Sequence, residues 1–528
     1  MASPPNTPQT TDASHPFKRP SADIIIILRS CDLVDFHVHS FILTEASPFF
    51  SGMFELPQPS QADSGTPDAA PAPPVIDMAE DAETLDLLLR LLYPIVKPPL
   101  EEPKLLARVL KAATKYEMAW PVTVVSERLL AITSSNALQV WAAACQARTG
   151  LEGVARQAAL VLRVSGIGVN LLEVETLAQL KDCLEDMFGI SAGDYLRLKQ
   201  FLRAAQSDID AGRLTLLSPQ PEAMTHPPLI SPSPFSTDLP SPDVSCRSLR
   251  QRGLGSEQSF KAHSLILSMR SPVLKARLGL VSDPLPALGD ANSKKNPSGG
   301  TLAVLEFDEE PEIVSLLLKV CYNDQEDLPV DLELTPIAEL LRACGKYQMI
   351  RIEDLVRAAW NKIAISRPLE AFFVAICQGL DDCARAAAKN VLSGPIPDAY
   401  TPVMESAPAL AYHRLLVYYD ACRAVRKERL VAFKNRIPSS FYVHDRGRFF
   451  SDGVQKAIHE FAEGTHGVAP HMGYPKHALP NVLTNAMSTN STLRRSQVWE
   501  FIEILVEGVT SVPDVVAAAI DEVQIELA

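Results

Sequence analysis

A chain of 528 residues, 47% hydrophobic and 21% charged, is too long for one core and ordinary in composition for a folded globular protein, so about three or four domains are expected. A net charge of −14 disfavours a general binder of nucleic acid or of an anionic membrane surface, either of which needs a basic face. No apolar run of roughly 18 residues is present to span a membrane, and residues 1–20 read as a polar, Pro-rich, disordered tail rather than an apolar leader.

Residues 22–28 hold the β-branched run Ile24-Ile25-Ile26-Ile27, too short for a helix and suited to a buried strand. Asp32 begins a turn, and residues 33–38 read as the returning strand of a hairpin. A short helix starts near Ser40. Ser47-Pro48 opens the next, because a serine N-cap accepts an orphan N–H and proline at the first helical position presets φ. Residues 58–74 form a Pro/Ala/Asp/Ser-rich surface loop, followed by a short strand with Ile76 and Met78 on one side. Leu85, Leu88, Leu89 and Leu92 keep a helical stripe, and Leu106, Val109, Leu110 and Ala113 keep another. An all-helical stretch, 121–205, precedes a Pro/Ser-rich linker, 206–242.

Then the chain repeats itself. Phe36, His39, Leu43 and Ser47-Pro48 return as Phe260, His263, Leu267 and Ser271-Pro272. Tyr93 returns as Tyr322, and Lys115-Tyr116 as Lys346-Tyr347. The spacing between counterparts drifts from 224 (39 to 263) through 229 (93 to 322) to 231 (116 to 347), and the drift falls in Pro/Gly-rich stretches where insertions cost little. A second helical stretch, 353–430, follows the second copy, and residues 431–528 do not repeat but end in two predicted helices, 496–507 and 513–527.

The order Asp23, Phe36, His39, Leu43, Ser47-Pro48, Phe49-Phe50, Met53-Phe54 resembles the BTB/POZ family, over residues 21–120. The second copy, 243–352, keeps Asp243, Phe260, His263, Leu267 and Ser271, but places Val273-Leu274 where the aromatic pair stands. The helical stretches behind each copy resemble BACK-type extensions in pattern and position. Tandem chains with Pro-rich insertions are similar to a class of fungal proteins. The resemblance implies an α+β fold of two small sheet-and-helix modules, each with an all-α extension, plus a C-terminal helical segment. It further implies a non-enzymatic interaction scaffold that self-associates, or pairs its two modules within the chain, and recruits protein partners, a cullin among them. Cullin-binding members carry an apolar-x-Glu element after the positions of Met53-Phe54; here Phe54-Glu55-Leu56 runs into Pro57, and the second copy has Leu278-Gly279-Leu280. Ile24, Ile26, Met53 and Phe54 are the candidate pairing surface.

Catalytic chemistry finds little footing. His37 and His39 share the H-x-H spacing by which two imidazoles on one strand face chelate a metal, which leaves a metal-dependent hydrolase as a remote alternative. Lys261 stands at the place of His37 in the second copy, so His39 reads instead as a structural histidine bonded to backbone at a strand–helix junction. His444, His459, His466, His471 and His477 fit no zinc-finger spacing. No nucleophile elbow, P-loop or dinucleotide fingerprint occurs, and aromatic residues do not interleave with basic ones. No cofactor, metal or catalytic residue is therefore expected. Nine cysteines without a C-x-x-C pair point to a reducing compartment, cytosol or nucleus, with Cys145, Cys321, Cys344 and Cys377 as core hydrophobes. Residues 423–436 carry six basic side chains, read as a solvated helix face in preference to an import patch.

Overall fold

The computed structural model describes residues 10–18, 26–56, 73–147, 150–165, 189–210, 212–217, 241–250, 259–281, 303–322, 333–392, 396, 399–435 and 512–527. It divides into two compact units: Met1–Gln220 with Pro408–Leu410, and Pro221–Ala407 with Ala411–Ala528.

In the first unit β2 (Ile26–Arg29) and β3 (Val34–Val38) form the expected hairpin, with Ile26 opposite Val38 and Leu28 opposite Phe36. Alternation sends Ile26, Leu28, Phe36 and Val38 into the core. β4 (Val75–Asp77) pairs in parallel with β2. The tail expected to be disordered contributes a strand as well: β1 (Thr11–Asp12) pairs in parallel with β3, giving the order β1-β3-β2-β4. Composition misses this segment because one buried aromatic, Phe17, anchors an otherwise polar stretch.

Helices α1 (Ser40–Ala46), α2 (Pro48–Glu55), α3 (Ala82–Leu92) and α4 (Pro103–Lys115) complete the module. α3 is buried on more than one stripe, since Leu87 and Leu91 join Leu85, Leu88 and Leu89. α5 (Ala119–Ala147) carries the chain from module into extension and is kinked at Asn136, where the backbone leaves helical geometry (φ −131°, ψ 37°). The extension continues with α6 (Glu152–Val164) and the helix Ala192–Arg203. The first part of the expected linker belongs to this packing. Gln206–Asp210 is helical, Leu216 and Leu217 are buried, and their N–H groups donate to the Glu152 carboxylate at 2.9 and 3.0 Å.

The second unit repeats the module with a three-stranded sheet, β6-β5-β7, built from β5 (Val244–Ser248), β6 (Ser259–Ala262) and β7 (Ala303–Phe307). Helices Ser264–Arg270, Pro272–Val281, Pro311–Tyr322 and Leu334–Lys346 match α1 to α4. The extension holds Ile350–Ser366, Pro368–Gln378, Asp381–Val391 and Ala409–Asn435. Val512–Asp521 packs against it, with Lys389 Nζ on Asp521 at 2.7 Å. The predicted helix at 496–507, the five-histidine stretch and the two Pro-rich loops from 57–72 and 282–302 lie outside the described residues. Two side chains depart from expectation. Cys377 is exposed rather than core, because it follows the buried run Ala371–Ala375 onto the far side of its helix. Arg426 is buried within the basic segment, and burial pulls its pKa below the usual value, whereas Arg423, Lys427 and Arg429 are solvated.

The fourth helix ends identically in both modules. Met118 N–H reaches back to Ala113 O at 2.8 Å and Glu117 N–H to Thr114 O at 3.1 Å; Met349 and Gln348 repeat the pair at 2.9 and 3.2 Å. This is the Schellman arrangement, which forces the residue after the cap into the left-handed region, and Glu117 (φ +54°) and Gln348 (φ +53°) occupy it without being glycine. A Cβ there costs about 1 kcal/mol. Glu117→Gly and Gln348→Gly are therefore expected to stabilise their units by about 0.5–1 kcal/mol in urea unfolding, and a loss of stability would contradict this geometry.

Candidate interaction surface and the wiring behind it

Each signature residue has a physical job. His39 ends β3, and its backbone N–H donates to Tyr93 Oη at 3.0 Å while its Nδ1 lies 3.1 Å from the same oxygen. His263 and Tyr322 repeat both contacts at 2.8 and 2.6 Å. The imidazole thus binds a tyrosine hydroxyl from the end of α3, not the backbone as its position alone suggested. Burial raises the pKa of both phenols, that of Tyr322 to about 12, so each remains a neutral hydroxyl able to accept and donate.

Ser47 joins two helix ends. Its Oγ accepts Phe50 N–H at 3.2 Å, capping α2, and donates to Tyr116 O at 2.5 Å, filling a carbonyl that α4 leaves unpaired. Ser271 does the same between Leu274 N–H (3.0 Å) and Tyr347 O (2.5 Å). Beside this joint, Tyr116 Oη donates to Glu80 at 2.5 Å and Lys115 Nζ reaches Glu80 at 2.9 Å. Tyr347, Lys346 and Glu309 form the same trio at 2.6 and 2.8 Å. Burial first, then the bond to Glu80, pushes the Tyr116 phenol up to about 12.

Phe36, Leu43, Phe50, Leu267 and Phe260 are core residues, and Phe49 is half-exposed against Phe50 and Tyr116. Asp23 and Ile24 lie outside the described residues. Asp243, the leading acid of the second copy, accepts Ser264 N–H at 2.7 Å and the Ser264 hydroxyl at 2.5 Å, so it caps the helix that follows His263. Burial works against its charge, yet these bonds hold its carboxyl below the usual range.

The expected pairing surface needs correction at Ile26. That side chain is 4% exposed and faces its own core, because strand alternation turns it inward with Leu28. Met53 and Phe54 are half-buried. The exposed apolar positions are elsewhere, and two recur in both modules. Phe41 (72% exposed) and Leu265 (70%) open the first helix, with Met269 (77%) one turn beyond Leu265; Val75 and Val304 lie on β4 and β7. Trp120 and Ile350 stand exposed at the start of the helix after α4 in the two copies. The sequence signal for Phe41 was available: it lies two residues from buried Leu43, about 200° around a helix and hence on the opposite face.

His37 and His39 face different partners. His37 Nε2 lies 3.6 Å from Asp12, while His39 turns to Tyr93. Among the described residues no group of three His, Cys, Asp or Glu side chains is placed to hold a metal.

The BTB/POZ domain family matches residues 18–132 and 251–363. The chain carries the BTB/POZ domain twice. Both matches extend past the expected limits of 120 and 352, ending inside α5 and inside Ile350–Ser366, so the helix after the Schellman turn belongs to the domain. BTB/POZ domains are protein-interaction modules that also dimerise. No curated protein matches the chain.

Ser47→Ala removes a cap and strands a buried carbonyl, and is expected to cost its unit about 2–3 kcal/mol in urea unfolding; Ser271→Ala should cost as much. Because the fold favours the neutral Tyr116 phenol, its contribution is complete below pH 10 and is lost as pH rises from 10 to about 12. Tyr116→Phe should flatten that alkaline segment of the stability curve.

Proposed function

We propose that the protein is a non-enzymatic scaffold whose two BTB/POZ domains pair within one chain and recruit protein partners. The observation that carries this reading is the recurrence of an exposed large apolar residue at one position of the first helix, Phe41 and Leu265, in two modules whose internal bonding is otherwise duplicated. Isolated apolar side chains are common on surfaces, but the same exposed position kept apolar in both copies of a docking domain favours a contact role. Two modules on one chain meet at an effective concentration set by the intervening segment, which favours intramolecular pairing over a second chain. Protonated thiols at Cys246, Cys321 and Cys344, each raised to about 12 chiefly by burial, are consistent with a reducing compartment, which we place as cytosol or nucleus. The tandem order and Pro-rich insertions support placing the chain with the fungal tandem-BTB proteins.

A cullin adaptor is the second reading, favoured by the exposed Leu56 beside Glu55 and half-buried Met53 and Phe54 at the end of α2. Light scattering of the full chain should give a monodisperse monomer; an obligate dimer contradicts pairing within the chain. Combined Phe41→Asp and Leu265→Asp changes should abolish recovery of native partners by affinity purification while leaving circular dichroism unchanged, and undiminished recovery would remove these helices from the contact. A cullin among those partners would select the adaptor reading.

A further inference from the structure

Residues 10–17 sit on the first module without belonging to it. The BTB/POZ match begins at residue 18, yet the segment before it is packed onto the domain. Thr11 and Ala13 donate N–H to Leu33 O and Asp35 O at 3.0 and 2.9 Å, and His37 N–H donates to Phe17 O at 3.1 Å. These bonds extend the sheet at the β3 edge, as an added peptide strand does. Burial along the segment has a simple pattern. Ala13 and Phe17 are buried, Pro16 is half-buried, and Thr11, Asp12, Ser14 and His15 are exposed. The Phe17 ring packs on Phe36, meets Tyr93 edge to face at 5.2 Å, and lies 6.0 Å from the Arg90 guanidinium. Arg90 also donates to His15 O at 2.9 Å. The domain thus presents an edge to pair with, a place for a small residue, and a pocket for an aromatic ring four residues later.

One side chain of this groove is left unmatched by what fills it. His37 Nε2 lies 3.6 Å from Asp12, but its Nδ1 is buried and has no hydrogen-bond partner among the described residues. A buried ring nitrogen without a partner costs stability, and a ligand that bonded it would bind better than the tail does. We propose that the β3 edge, with Phe36, Tyr93, Arg90 and His37, is a peptide-binding site of the first module, and that residues 11–17 occupy it as an internal competitor. Its external ligand is an extended segment of a partner protein. That segment carries an acid, a small residue next to it, and a phenylalanine four residues beyond the small one, as Asp12, Ala13 and Phe17 do. It displaces the tail by pairing with the same main-chain groups at Leu33, Asp35 and His37. Phe41 takes no part, so the proposal holds whether or not the two modules pair.

A labelled peptide with the sequence of residues 10–18 tests this on the full chain. It should bind saturably to Phe17→Ala, which frees the ring pocket, and about tenfold or more weakly to the native chain, where the tail competes. Hydrogen exchange follows the same event. The His37 amide should be protected in the native chain, exchange in Phe17→Ala, and regain protection when the peptide is added. Unlabelled peptides carrying Phe17→Ala, Ala13→Leu or Asp12→Lys should fail to compete, whereas Ser14→Glu should compete fully. Equal affinity for native chain and variant, or equal competition by all four peptides, overturns the proposal. As a check that does not depend on the variant's stability, excess peptide with Phe17→p-benzoylphenylalanine should photo-crosslink to the native chain at the peptides holding Phe36 or Tyr93. Crosslinks elsewhere overturn it. A native dimer that Phe17→Ala abolishes would put a second copy's tail in the groove and overturn the assignment to a partner protein.

Discussion

The last carbonyl of the fourth helix has no partner inside its own helix, and in both modules a serine hydroxyl some seventy residues earlier supplies one. Ser47 and Ser271 each donate to that carbonyl while accepting an N–H from the first turn of the second helix, that of Phe50 or Leu274, so one oxygen ties together two helix ends distant in sequence. A buried carbonyl without a partner costs about 1–3 kcal/mol. This constraint fixes where α2 lies on α4, and the Schellman turn that follows α4 then directs the next helix. The His–Tyr contact plays the equivalent part between β3 and the end of α3. Sheet and helices are held in register by a few bonds between residues far apart in the chain, over an apolar core that supplies the bulk of the stability.

Side chains around this frame have been exchanged without disturbing it. Phe50 packs against Tyr116 at 5.3 Å in the first module, where β4 is followed by Met78. In the second, Leu274 takes the helix position and Phe307 on β7 meets Tyr347 at the same 5.3 Å. The aromatic ring has moved from helix to strand, and the tyrosine keeps one partner. Likewise, buried Leu28 and half-buried Leu92 correspond to Cys246 and Cys321, small protonated thiols that lie in the core. Such repacking preserves a fold while altering what its surface offers.

Much of this was legible in the letters, for a physical reason. Residues that bond across long loops cannot change singly, so Phe36, His39, Ser47, Tyr93 and Tyr116 reappear with their counterparts when the halves are aligned. Their partners were harder to see. The His39–Tyr93 bond joins two repeated letters that no periodicity connects, and Glu80 sits in a short turn with no pattern around it. The tail was misread because its prolines and polar residues outweigh Phe17 in any average, although that one ring closes the sheet edge. Ile26 was misassigned to the surface because the isoleucine run hides the strand's alternation. Apolar residues in contact roles, such as Phe41, differ from core residues only in the face they occupy, and a seven-residue helix gives that face little statistical weight.

If two copies of one docking module underlie the protein, the His–Tyr contact must carry the same energy in each. Double-mutant cycles of His39→Ala with Tyr93→Phe, and of His263→Ala with Tyr322→Phe, measure it by urea unfolding of the full chain. The account predicts coupling of about 0.5–3 kcal/mol, similar in both copies. Additive effects in either copy would show that the shared residues do not do shared work, and would contradict the kinship on which the functional reading rests.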